Sequence, residues 1–186
     1  MKLTRISVLA ATLVATSLPT IAWETPSGQE FTATAIMDTG EGTRRMPVTL
    51  IAQRYTSVDD AARLEQVLAN GGQGALLAAL RGTSNGRFRL GALEFRVSLV
   101  AAEEIRDGHR YYFVTARRIQ VEERDNSSES LEYPFGVAIF ELGDFGTGEG
   151  EIYPTAALHI DPDNGGVVIE EYDGEPGRLI DVKQVR

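Results

Sequence analysis

The chain has 186 residues, close to one domain's worth of length, with 42% hydrophobic and 24% charged side chains, the balance of a folded globular chain. Eighteen Lys and Arg stand against 27 Asp and Glu, a net charge of -9, which argues against nucleic acid as a partner. The complete lack of Cys excludes disulfide frameworks, thiolate metal sites, iron–sulfur clusters and thiol nucleophiles.

The N-terminus reads as a signal peptide. Lys2 and Arg5 form a basic start, Ile6 to Trp23 carries no charge, Pro19 breaks the helix, and Thr20-Ile21-Ala22 offers small residues before a cleavage point. The expectation is a signal over residues 1–22 and a single exported β-rich domain over 23–186, periplasmic or extracellular, with no membrane span after cleavage.

Strands come next. Phe31, Ala33, Ala35 and Met37 alternate with Thr32 and Thr34, a glycine turn follows over Asp38 to Arg45, and Pro47 to Tyr55 completes a hairpin. Ser57 is placed to cap a helix, with Asp59 and Asp60 in its first turn. Ala61, Leu64 and Leu68 form its apolar stripe, Gly71-Gly72 stops it, and Ala75 to Leu80 starts a second short helix closed by Gly82. The pair is expected to pack as a helical hairpin on something larger.

Period two then returns. Leu93, Phe95, Val97 and Leu99 are assigned to one strand face, Asp107-Gly108 is a hairpin turn, and His109 to Ile119 is aromatic and β-branched. A polar loop spans Asp125 to Ser130. Val137 to Leu142, the segment from Gly150 to Ile160, Val167 to Tyr172 and Leu179 to Val182 supply the remaining strands. The fold class is mainly β (α+β): an antiparallel β-barrel or sandwich of eight or nine strands with one packed helical hairpin.

Three stretches, Gly71-Gly72-Gln73-Gly74-Ala75-Leu76-Leu77-Ala78-Ala79-Leu80, Tyr133-Pro134-Phe135-Gly136, and Gly148-Glu149-Gly150-Glu151-Ile152-Tyr153-Pro154 running on to Asp161, resemble a family of secreted bacterial β-rich proteins with no assigned function. The resemblance covers most of residues 31–182. It implies export and a β-rich fold, and it carries over no catalytic or binding residues.

Candidate sites each meet a simpler reading. The turn Asp161 to Gly166 has Gly165 and Tyr172 where an EF-hand loop needs an oxygen and a Glu. The run Gly146-Thr147-Gly148-Glu149-Gly150 is followed by a strand, not the helix a phosphate loop requires. His109 and His159 are about fifty residues apart, with no third ligand indicated, so no metal and no cofactor is expected. Adjacent acids such as Glu170-Glu171 point to opposite strand faces, whereas Glu149 and Glu151 share one. Tyr111, Tyr112 and Phe113, with Arg110, Arg117 and Arg118 around them, would suit a barrel mouth binding an acidic or aromatic molecule.

On the last long strand, period two puts Ile152, Ala156, Leu158 and Ile160 on one face and Glu151, Tyr153, Thr155 and His159 on the other, provided Pro154 introduces no bulge. Tyr153 and His159 are therefore the expected ligand-binding residues. The expected function is a non-enzymatic exported domain binding a small ligand or a protein partner. The alternatives are a carboxylate-dependent hydrolase near Glu149 and Glu151, and a structural envelope module with no ligand.

Overall fold

The computed structural model describes residues 28–39, 42–119, 132–161, 167–171 and 175–185. The expected signal over residues 1–22, the expected polar loop over 125–130 and most of the expected turn over 161–166 lie outside the described residues. The elements are β1 (Gln29–Thr39), β2 (Gly42–Ala52), α1 (Val58–Arg81), β3 (Gly86–Leu90), β4 (Leu93–Ile105), β5 (Gly108–Thr115), β6 (Phe135–Gly143), β7 (Thr147–Ile160), β8 (Val167–Glu171) and β9 (Gly177–Gln184).

The strands run in the order β6-β5-β4-β3-β2-β1-β9-β7-β8, and β6 also pairs with β7. That extra ladder closes eight antiparallel strands into a barrel, with β8 added outside on the C-terminal half of β7. Of barrel and sandwich, the barrel is what forms. Among the described residues no helix is long and apolar enough to cross a membrane.

Eight strands enclose a space that side chains can fill. Here aromatic rings fill it: Phe31 lies 4.8 Å from Tyr111, 5.0 Å from Phe140 and 6.1 Å from Phe113, centroid to centroid. Ala33, Ala35, Leu50, Leu90, Ile152 and Leu179 pack in the same cluster.

A second core lies outside the barrel wall. Leu64, Leu68, Leu76, Leu77 and Leu80 of α1 cover Tyr112, Val114, Val137, Ile139 and Leu158. This explains why β5 and β6 are buried at consecutive positions: one face looks into the barrel and the other onto the helix. Ser57 caps α1 as its sequence position implies, accepting from the Asp60 N–H at 3.1 Å. The expected helical pair is joined through a single non-helical residue, Gly72 (φ 64°, ψ -162°), into one kinked helix.

Two face assignments are corrected by bulges. On β4 the register shifts between Val97 and Leu99, so Val97 and Val100 both point inward and Leu99 packs outside. On β7, Phe135 pairs with Ala156 but Val137 pairs with Tyr153, so β7 carries one extra residue around Pro154 and Thr155. Ile152 therefore faces the barrel interior, while Tyr153, Ala156 and Leu158 face α1. Proline brings no N–H to the ladder, which favours the irregularity there. The Pro154 carbonyl accepts instead from the Ile119 N–H at 2.8 Å.

Candidate functional site

The short hairpin β3–β4 builds the most distinctive surface. Phe88 and Phe95 face inward, stacked with centroids 5.7 Å apart, so their neighbours must face out. The register pairs Arg89 with Glu94 and Arg87 with Arg96. Arg89 and Glu94 form an exposed ion pair at 3.0 Å. Arg87 and Arg96 make no ion pair with any described residue, although like charges directly opposite each other destabilise a ladder.

These arginines line an open cleft of about 780 Å3 on the outer wall, together with Arg81, Arg117, Glu94 and Ser98. Four guanidinium groups and one carboxylate meet in a chain whose net charge is -9. Each arginine is placed by its element. Arg81 sits in the last turn of α1, where a cation suits the helix dipole. Arg117 follows β5, with its guanidinium 4.5 Å from the Phe95 ring centroid and its Nη2 donating to the Glu94 carbonyl at 2.7 Å.

The surrounding frame is held by buried polar groups. Asn85 Oδ1 accepts from Arg54 Nη2 at 2.9 Å, and its Nδ2 donates to Thr56 Oγ1 at 3.0 Å. The Asn85 carbonyl takes the N–H groups of Gln53 and Arg54, both at 2.9 Å. The Thr83 hydroxyl lies 2.8 Å from the Leu80 carbonyl and 2.9 Å from that of Ser98, tying the end of α1 to the β4 bulge.

Tyr153 and His159 are not brought together. Tyr153 is buried under α1 on the outer face of β7, its hydroxyl donating to Glu151 Oε2 at 2.5 Å. Burial, and then Glu151, hold its phenol well above the usual tyrosine range. His159 points to the opposite side of β7 and is half exposed. Its Nε2 lies 2.8 Å from Glu170, whose other carboxylate oxygen accepts from the Tyr133 hydroxyl at 3.0 Å.

The other sequence candidates separate similarly. Glu149 and Glu151 do share the outer face of β7, but Glu149 is exposed. The acid that matters beside Glu151 is Glu171, pushed up to about 7 by burial and then by the charges of Glu151 and Glu175. Tyr111 and Phe113 are part of the barrel core, while Tyr112 donates to Glu103 at 2.9 Å. Arg110 pairs with Glu141 at 2.5 Å, and Arg118 Nε donates to the Tyr133 carbonyl at 2.9 Å. His109 sits on the β4–β5 hairpin opposite Glu104. Among the described residues no three His, Asp or Glu side chains group as a metal site.

Arg81, Arg87 and Arg96 were not among the residues the sequence singled out. Their signal was present: Gly91-Ala92 is a two-residue turn, and counting back from it pairs Arg87 with Arg96. No family model, no curated protein and no solved structure matches this chain.

Proposed function

We propose that the chain is an exported, non-enzymatic binding domain that holds an anionic ligand on the outer wall of its barrel. The observation that carries this reading is the Arg87–Arg96 pair, which costs the ladder stability and sits in an arginine-lined cleft of an acidic protein. Arginine presents a planar fork suited to carboxylate, sulfate or phosphate. The filled interior supports a site on the wall in place of one inside the barrel. The export half of the reading rests on the N-terminal pattern, and mass spectrometry of the secreted product should find Trp23 at or near its N-terminus.

The test is calorimetric titration with acetate, succinate, sulfate and phosphate. Changing Arg87 and Arg96 together to Gln should weaken binding at least tenfold. The same change should leave the unliganded protein as stable as before or more so, since it relieves like-charge repulsion. Unchanged affinity in the double variant would remove the cleft as the site.

A carboxylate hydrolase is the second reading. It is favoured by Glu171, whose carboxyl is pushed up to about 7 by burial and then by the charges of Glu151 and Glu175, in the range a general acid uses.

A further inference from the structure

Beside the arginine cleft lies a second hollow of opposite character. It is a crevice of about 100 Å3 between α1 and the barrel wall, lined mainly by apolar side chains including Leu68, Leu76, Leu80, Leu99, Ala101 and Val114. The two hollows have no lining residue in common, but they are lined by near neighbours along the same elements. Leu80 lines the crevice and Arg81 the cleft, both in the last turn of α1. Val114 lines the crevice and Ala116 the cleft.

The β4 bulge makes the junction. Val97 and Val100 both point into the barrel, so the two residues between them both face outward. Ser98 goes to the cleft and Leu99 to the crevice, consecutive along one wall. A regular strand would have sent one of them inside.

Resting on the anion reading above, we propose that the ligand is an aliphatic carboxylate: its charged head lies on the Arg87–Arg96 side and its first carbons enter the apolar crevice under α1. Charge complementarity selects the head, and the unfilled apolar hollow selects the tail. An apolar cavity of about 150 Å3 accepts a benzene-sized molecule, so this smaller crevice suits roughly three or four carbons. The head needs the bidentate guanidinium contacts that an alcohol cannot make.

The experiment is calorimetric titration of the purified chain with acetate, butyrate, hexanoate and octanoate, with inorganic phosphate and hexanol as controls. Affinity should rise about fourfold per added methylene and level off near hexanoate. Hexanol should bind far more weakly than hexanoate. Ala101→Leu, which fills the crevice, should flatten the series while leaving acetate and phosphate binding intact. A flat series in the unaltered chain, with acetate binding still dependent on Arg87 and Arg96, overturns the tail and leaves the anion site standing. No binding of any of these anions overturns both.

Discussion

Glu171 ties the chemistry of single residues to pH. It ends β8 opposite Ala156, and burial with the nearby charges of Glu151 and Glu175 raises its carboxyl from 4.5 to about 7. The folded chain thus holds this proton more tightly than the unfolded one. Its contribution to stability is full below about pH 4.5 and is lost as pH rises through 7. Allowing for solvent screening at this part-exposed position, the loss is about 1–2 kcal/mol. Glu171→Gln should therefore raise the melting temperature at pH 8 and change it little at pH 4.5. An identical pH profile of stability in the two proteins would contradict this assignment. His159 and Glu170 belong to the other side of the same ladder, so the variant leaves their contact in place.

At the scale of elements, α1 is held by packing along its length and by one polar clamp at its kink. Gln73, just after Gly72, bonds both backbone groups of Leu158: its amide donates to the carbonyl at 2.5 Å and accepts from the N–H at 3.1 Å. It thereby substitutes for a neighbouring strand where β6 no longer runs beside β7. Leu64→Ala should cost toward the lower end of about 2–5 kcal/mol, because the adjoining crevice already deprives that side chain of some contacts. Urea denaturation measures it, and an unmoved midpoint would mean that the stripe does not hold the helix down. Periodicity and capping made this helix legible, as did the glycines that break it. β1 was equally legible because its alternation is regular, whereas β2 starts at Gly42, before the expected Pro47, and ends at Ala52, short of the expected Tyr55. The bulges in β4 and β7 were not, since an extra residue is invisible until the partner strand is known. Alternation alone thus puts Leu99 on the face of Phe95 and Val97, and Tyr153 on the face of His159. The cleft was half legible: the turn at Gly91-Ala92 sets the Arg87–Arg96 register, but Arg81 and Arg117 reach it only through the way α1 and β5 fold over the wall.

For the molecule as a whole, closure and packing decide where a ligand can bind. β9 shuts the barrel by pairing with β1 on one side and β7 on the other, joining the two ends of the domain. Gly150 lets β7 approach β6 closely enough to complete the ring, for a Cβ there would sit 2.1 Å from the Ile139 carbonyl oxygen. Inside, Phe140 is fully buried with its ring 5.1 Å from Tyr111 and 5.8 Å from Phe113. A closed ring filled in this way separates stability from binding: the interior holds the wall in shape, and the wall carries the arginines on its outer side. Phe140→Ala should therefore cost about 3–5 kcal/mol in denaturation, within the stability range of a domain of this kind. Below its lowered melting temperature, the variant should bind hexanoate with the affinity of the parent, because Phe140 points into the barrel while Val137, the β6 residue that lines the crevice, lies on the opposite face. Equal affinities across that loss of stability place the ligand outside the barrel. A variant that gains a second binding event, or binds tighter as the interior is hollowed, would place it inside.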